Sequence, residues 1–206
     1  TFNEMWYAAK KKNIFIRIKR SRGYKKGPNI ITNAPYPQRR YMYYQLINAI
    51  RNSKKYVYLT TPYFVPDPRL LYVLQRAVGR SVDVQIIVPK TSDSVIVNRA
   101  SHSFFYDLLS SGIRIHQHDG DFIHAKTAVI DDRWATLGSF NFDNLSFTYN
   151  HEANIVSTDK KCIETIKEHF KSDAQKSEEV FIEQWLVRPV LWKFREFCII
   201  PFRRFL

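Results

Sequence analysis

The stretch HAKTAVIDDRWATLGSFN, from His124 to Asn141, decides how this chain is interpreted. Apolar and polar residues alternate over 122–131 and again over 134–139. This pattern predicts two strands joined by a tight turn at Asp131–Arg133. The pattern H-x-K-x4-D-x6-G-S-x-N runs through both strands. At average residue usage this pattern arises by chance at on the order of one position in 10⁸. We therefore treat it as a functional motif.

The first half of the motif pairs an imidazole with an ammonium group. Side chains alternate between the two faces of a strand, so His124 and Lys126 are predicted to point the same way. That combination suits a bound phosphate. Asp131 has the opposite parity and lies at the end of the strand, which predicts a structural role for this residue.

The second half of the motif supplies small and polar groups. Gly138 allows another backbone segment to come close. Ser139 and Asn141 follow the second strand, where they can place a hydroxyl and an amide beside His124.

The rest of the chain alternates strand and helix patterns. Further strands are predicted at 29–32, 55–64, 82–89, 112–118 and 151–157, and helices at 39–53, 68–79, about 94–111 and 159–177. Asp67 is predicted to cap the second helix, and either Asp93 or Ser94 the third. The alternation predicts an α/β fold with a mixed, largely parallel β-sheet flanked by helices on both faces, the late strand pair being antiparallel.

Charge divides the chain unevenly. The net charge is +13, yet residues 41–180 carry 16 basic and 16 acidic side chains, whereas residues 1–40 carry 11 Lys or Arg and one acidic residue. We predict a basic N-terminal segment or end of a preceding domain at 1–28, a catalytic domain at 29–180, and basic aromatic amphipathic helices at 181–206. Basic ends of this kind indicate an anionic partner, either lipid headgroups or nucleic acid, or else a solvated tail.

The C-terminal segment mixes aromatic and basic residues. Its composition is typical of a helix lying in a lipid headgroup layer, and equally of helices packed on the domain's own surface. Pro189 and Pro201 interrupt any single helix there. No stretch reaches the ~18 uncharged apolar residues of a transmembrane helix. Cys162 and Cys198 form no CxxC pair, so neither a structural zinc nor a disulfide framework is expected.

These patterns together resemble the phospholipase D superfamily, and in particular the C-terminal half of a bacterial-type cardiolipin synthase. The resemblance covers about residues 26–180 and rests on the motif together with KGPN, TTPYFVPD, VDVQIIVPKTSD, GIRIHQHDGDF and NHEANI. The opening TFNEMW is similar to the end of the preceding half. There are two departures: Leu145 stands where the family usually has arginine, and the first copy of the motif is not in the chain.

The resemblance implies roles for the motif residues. Enzymes of this family form a covalent phosphohistidine, and a histidine from the second motif copy protonates the leaving group. His124 would be the nucleophile or the general acid, with the acid role favoured, and Lys126 and Asn141 would bind phosphate oxygens. Ser139 would support them, and Glu152 stands where a carboxylate usually orients the histidine. No metal and no other cofactor is implied.

Four other side chains are weaker candidates. Tyr63 and Phe64 could contact substrate or pack in the core. His118 could line the mouth of the pocket or be an ordinary core or surface histidine. Asp93 follows a strand where α/β sites form, and helix capping explains it equally well.

The favoured function is phosphatidyl transfer that makes cardiolipin from two phosphatidylglycerols, with this chain supplying one half-site. The other half-site would come from an upstream domain or a homodimer partner. The expected location is peripheral, on the cytoplasmic face of the cell membrane. Two alternatives stay open: a single-motif homodimeric phosphodiesterase or endonuclease acting on nucleic acid, and a half-domain that binds membranes without catalysis.

Overall fold

The computed structural model describes residues 29–33, 41–120, 123–143, 146, 150–190, 192 and 199. The predicted segment 1–28 and most of the closing amphipathic helices lie outside these residues. No helix in the described ranges is long and apolar enough to cross a membrane.

Ten strands and six helices build the described part of the chain. The strands are β1 Asn29–Asn33, β2 Tyr56–Thr60, β3 Phe64–Val65, β4 Asp83–Pro89, β5 Arg114–His118, β6 Thr127–Ile130, β7 Trp134–Gly138, β8 Phe142–Asp143, β9 Glu152–Ser157 and β10 Ser177–Val180. The helices are α1 Tyr41–Arg51, α2 Pro68–Val78, α3 Val95–His102, α4 Phe105–Ser110, α5 Lys160–Gln175 and α6 Ile182–Leu186.

Eight of these strands form one sheet in the order β1-β9-β7-β6-β2-β4-β5-β10, and β3 pairs with β8 in a small second sheet. The predicted α/β class with a mixed sheet is confirmed. The prediction that the large sheet is mainly parallel was wrong: among the described strands, five of its seven pairings are antiparallel and only β2–β4 and β4–β5 are parallel. The reason is that β6 and β7 follow each other through a tight turn, which joins antiparallel strands.

Helices cover both faces of the sheet. In β2, Val57 and Leu59 enter the large core, which also contains buried residues of α1, α2 and α4. The alternate residues Tyr56 and Tyr58 point to the other face, where Tyr58 stacks on Phe170 of α5 with ring centroids 4.5 Å apart. β2 is buried on both faces, and its alternating side chains therefore pack against both helical layers.

Several observed elements differ from the predicted ones, and the predicted strand at 55–64 is divided into β2 and β3. The helix expected up to Ser111 is split into α3 and α4, because the Ser103 hydroxyl bonds back to the Ala100 carbonyl at 2.6 Å near the end of α3. Ser94, and not Asp93, caps α3 by accepting from the Val97 amide. Strand β10 was not predicted, since its sequence SEEV lacks an apolar alternation.

The start of the C-terminal segment packs on the domain. Trp185 of α6 is buried, with its ring centroid 4.7 Å from that of Phe105 and 5.5 Å from that of His102. The Arg188 guanidinium lies 3.0 Å from the Trp185 ring centroid. This portion follows the alternative in which the segment covers the domain's own surface.

The β6–β7 turn fixes the start of β2. Asp131 and Asp132 adopt left-handed backbone angles, with φ of 54° and 53°. The buried Asp131 carboxylate accepts hydrogen bonds from the backbone amides of Lys54, Lys55 and Tyr56 at 2.6, 2.8 and 3.0 Å. These contacts tie the beginning of β2 to the end of β6. His124 precedes β6 and lies at the opposite end of these strands.

We expect Asp131→Ala to lower the free energy of unfolding by about 3 kcal/mol, because it leaves three backbone donors without their acceptor. Asp132→Ala is the comparison, since it has the same left-handed backbone. Its exposed carboxylate accepts from the Tyr56 hydroxyl and the Lys167 ammonium, and its loss should cost about 1 kcal/mol. Urea denaturation of both variants measures the difference. Equal losses would show that the buried hydrogen bonds contribute little.

Candidate active site

Strand register gathers the motif at one end of the central strands of the sheet. This end is called the motif edge. Thr127 at the start of β6 lies opposite Thr60 at the end of β2, and Leu137 of β7 lies opposite Thr127. Gly138 at the end of β7 lies opposite Asn154 near the start of β9. The residues before β6, after β7 and at the start of β9 therefore meet beside the carboxyl ends of the parallel strands β2 and β4.

His124 and Lys126 are in direct contact at this edge. The Lys126 Nζ lies 3.0 Å from Nδ1 and 3.3 Å from Nε2 of His124, and it donates to the His124 carbonyl oxygen at 2.9 Å. The strand expected from residue 122 begins only at Thr127, so this contact arises in the segment before β6 and not from strand parity. His124 is exposed, whereas Lys126 is only 8% exposed.

The surroundings of Lys126 are charged and partly desolvated. Burial lowers the pKa of Lys126, and the carboxylates of Glu152, Asp143 and Asp93 oppose that lowering. Glu152 lies in β9, Asp143 in β8, and Asp93 follows β4. Lys126 therefore interacts electrostatically with carboxylates from three separate strands. Such a buried ammonium favours an anion that can approach it from the open side.

Ser139 and Glu152 form a second pair behind the first. The Ser139 hydroxyl donates to the Glu152 carboxylate and accepts from the Ala153 amide at 3.0 Å, and the Ser139 amide donates to the Ala153 carbonyl at 3.1 Å. Glu152 is buried, with only 8% of its surface exposed. Its role in orienting His124 stays a prediction. The contact described here joins it to Ser139.

Gly138 is required by the close approach of β9. A Cβ placed on Gly138 would lie 2.4 Å from the Ala153 oxygen and 2.6 Å from the Asn154 Cγ. The Asn154 side chain occupies that space, accepting from the Phe140 amide at 3.2 Å and donating to the Thr136 hydroxyl at 3.0 Å. Asn154 thus fixes the path of the chain between Ser139 and Asn141, a role that the sequence did not reveal.

Asn141 and Asp143 complete the cluster. The Asn141 side chain hydrogen-bonds to Asp143, and its Oδ1 is buried without a hydrogen-bond partner among the described residues. Asp143 is buried and accepts from the Ser146 amide at 2.6 Å. Burial, with a smaller contribution from the Glu152 charge, raises the pKa of Asp143 to about 6. The motif did not identify this acid, although it directly follows Phe142 in an apolar strand.

The chain matches the family described as cardiolipin synthase, PLD-like domain, over residues 46–174. It belongs to this family. Probable cardiolipin synthase YwiE of Bacillus subtilis (strain 168) is 36% identical over 139 residues, which cover 68% of this chain and 27% of that protein. Major cardiolipin synthase ClsA of the same organism is 35% identical over 170 residues, which cover 82% of this chain and 35% of that protein.

A solved structure shares the fold. Nuc, a phospholipase D family member from Salmonella typhimurium, superposes with a TM-score of 0.62 and 23% identity, covering 75% of this chain and 99% of that one. The aligned region of this chain spans about a third or less of the two curated relatives, at 27% and 35% of their lengths.

The weaker candidates fall in different places within this PLD-like domain. Tyr63 lies at the motif edge, where its hydroxyl donates to Asp93 at 2.5 Å. Phe64 follows the alternative of core packing: its side chain is 0% exposed and belongs to the large core, as does its β3 neighbour Val65. His118 ends β5, three strands from β6, and its Nδ1 lies 3.3 Å from the Ser177 hydroxyl. At about 4.8 Å per strand it is roughly 14 Å from the motif.

Among the described residues no group of three or more His, Cys, Asp and Glu side chains is arranged to hold a metal ion.

Gly138→Ala should lower the free energy of unfolding by more than about 2 kcal/mol, because backbone atoms of β9 must move to admit the methyl group. Gly79→Ala is the control, since its Cβ would lie 3.6 Å from the nearest carbonyl and its backbone is ordinary helix. That variant should change stability by less than about 0.5 kcal/mol. Similar urea midpoints for both variants would contradict the required close approach.

Asp143 should make stability fall as pH rises. Its folded pKa of about 6 lies above the ordinary value of 3.8, so the folded state binds the proton more tightly. The stabilisation is complete below about pH 4 and is lost as pH rises to about 6, by up to about 3 kcal/mol. Asp143→Asn cannot titrate, so the stability difference between the two proteins, measured in urea from pH 4 to 7, should shift in favour of the variant. A flat difference would exclude the raised pKa.

Proposed function

We propose that this chain supplies one half-site of an enzyme that transfers phosphatidyl groups through a covalent phosphohistidine. The favoured overall reaction joins two phosphatidylglycerols into cardiolipin and releases glycerol. The observation that carries the proposal is the contact of the buried Lys126 ammonium with the exposed His124 ring at the motif edge. Family membership and the curated cardiolipin synthases among its relatives support the same chemistry.

The reaction needs two histidines and no net redox change. One imidazole nitrogen attacks phosphorus, a phosphorus–nitrogen bond forms, and the bond to the glycerol oxygen breaks. The other histidine gives its proton to that oxygen, so glycerol leaves neutral. The same histidine then takes the proton of the incoming hydroxyl, whose oxygen attacks phosphorus and displaces the enzyme nitrogen. We assign His124 to the acid–base role.

Lys126 and Asn141 would bind the non-bridging oxygens. In the absence of substrate the ammonium contacts His124 itself, and a phosphoryl oxygen entering between them would accept from it. This interaction strengthens as negative charge builds on the phosphoryl oxygens, which is the condition for lowering the barrier. Ser139, held by Glu152, would keep the segment leading to Asn141 in place.

One motif copy supplies only half of this machinery. The chain carries the full pattern once, in His124 to Asn141, and the region it shares with the curated relatives is about a third or less of their length. The second histidine and lysine would come from an upstream domain or a second copy of the chain. The anionic partner would be phosphatidylglycerol in a membrane, reached by a peripheral domain on the cytoplasmic face.

A phosphodiesterase or nuclease acting as a homodimer is the second candidate. The domain covers 99% of the Nuc chain, so a PLD-like domain of this size also occurs as a separate chain. The 11 basic residues within positions 1–40 would suit a nucleic acid backbone. The curated relatives favour the lipid substrate.

His124→Ala in the complete gene product should lower cardiolipin formation from labelled phosphatidylglycerol vesicles by at least about 10³-fold, since proton transfer is lost. His151→Ala is the matched control, as it removes an exposed histidine next to Glu152 and should retain activity. Unchanged urea midpoints in both variants would place the loss in the chemistry. Cardiolipin made at the normal rate by His124→Ala would refute the proposal.

Two arms of the same assay separate the alternatives. We expect EDTA to leave the rate unchanged, because lysine and not a metal would neutralise the phosphoryl charge. Residues 1–206 assayed alone test the source of the second half-site. Product from them would indicate a homodimer, and product only from the complete gene product would indicate an upstream half. Cleavage of nucleic acid with no lipid product would favour the nuclease.

A further inference from the structure

A tyrosine and an aspartate form the wall of the motif edge on the side away from Ser139. Tyr63 follows the end of β2, and Asp93 follows the end of β4, which is the parallel neighbour of β2 on the side away from β6. At about 4.8 Å per strand, the two residues are one and two strand spacings, roughly 5 and 10 Å, from Lys126. They therefore lie near Lys126, and the charge of Asp93 acts on the pKa of that lysine.

The two side chains hold each other in place. The Tyr63 hydroxyl donates to Asp93 Oδ1 at 2.5 Å, and the Ser92 hydroxyl donates to the same oxygen at 3.2 Å. The Thr61 hydroxyl donates to the Tyr63 carbonyl at 2.8 Å and fixes the backbone there. Ser94 caps α3, and the Asp93 carboxylate also accepts from the backbone amides of Asp93 and Ser94. An exposed carboxylate is thus presented at the rim by a half-buried tyrosine.

A carboxylate at this position repels the phosphodiester that Lys126 attracts. The other two acids near Lys126 are accounted for: Glu152 receives the Ser139 hydroxyl, and Asp143 is buried with a raised pKa. Asp93 differs, since its hydrogen bond from Tyr63 lowers its pKa and it is exposed. A charged acceptor beside a phosphate site is suited to a ligand that brings hydroxyl donors.

We propose that Asp93 and Tyr63 bind the free hydroxyl of the incoming alcohol and thereby select a polyol headgroup over a monohydric alcohol or water. This inference rests on the proposed function. A glycerol headgroup has two hydroxyls: one loses its proton to the histidine and attacks phosphorus, and the other donates to Asp93 with no covalent change. Water and simple alcohols lack that second hydroxyl, so they leave the carboxylate without a donor from the ligand.

The test is a competition between acceptors in the complete gene product. Phosphatidylglycerol vesicles serve as phosphatidyl donor, with their own headgroups and added 1-butanol as rival acceptors. Cardiolipin, phosphatidylbutanol and phosphatidate are measured together. Asp93→Asn should lower the ratio of cardiolipin to phosphatidylbutanol about tenfold, and Tyr63→Phe should lower it severalfold, because each removes part of the hydroxyl site.

Asp119→Asn is the matched control. Asp119 is also an exposed carboxylate at the ends of the parallel strands, but it follows β5 and pairs with Lys90 at 2.7 Å. It should leave the product ratio unchanged. Because a ratio of products from one phosphoenzyme does not depend on the amount of folded protein, a loss of total activity alone would not imitate the expected result.

The outcomes separate this inference from the function it rests on. No phosphatidylbutanol or cardiolipin from the unaltered protein would overturn the proposed function. Both products falling in parallel in Asp93→Asn and Tyr63→Phe would leave that function standing and overturn the acceptor site. A selective loss of cardiolipin in both variants, with the Asp119→Asn ratio unchanged, would establish it.

Discussion

The antiparallel pairing of β6 with β2 is the constraint on which the site depends. Strands β2, β4 and β5 run in parallel and end at the same edge, and a further parallel strand would have placed the start of β6 at the other edge. Because β6 runs the opposite way, the residues that precede it meet the carboxyl ends of β2 and β4. Asp131 anchors the far end of the same pairing through three backbone amides of the β2 start. Ligand sites of α/β sheets commonly lie outside these carboxyl ends, at a point where the strand order changes direction.

Most of the elements were predictable because burial imposes a period on the sequence. Helices α1, α2 and α5 and strands β4, β7 and β9 lie within a few residues of their predicted bounds. Strand direction was not predictable in the same way, since periodicity does not tell which neighbour a strand pairs with. The break at Ser103 depends on one hydroxyl bonding to the backbone, and β10 depends on pairing with β5, so neither produced a pattern in the sequence.

The site could be predicted where a sequence motif specifies the residue types. It could not be predicted where only the fold brings residues together. His124 and Lys126 meet as expected, although the segment before β6 and not strand parity causes it. Asn154 was missed because its importance depends on the space left by Gly138 on a neighbouring strand. Asp143 was missed as a titrating group because its raised pKa comes from burial, which composition does not show.

The charge balance of the motif edge bears on the proposed need for a second half-site. The motif offers one ammonium, and carboxylates from three strands lie within its electrostatic reach. Burial raises the pKa of Asp143, and Glu152 accepts a hydrogen bond from the Ser139 hydroxyl. Asp93 is exposed and accepts from the Tyr63 hydroxyl. In the proposed reaction negative charge builds on the phosphoryl oxygens, and Lys126 is the one ammonium that the motif brings to them. A second lysine facing Lys126 across the substrate would add positive charge there, and the acidic rim would then discourage a second phosphate from occupying the place of the acceptor hydroxyl.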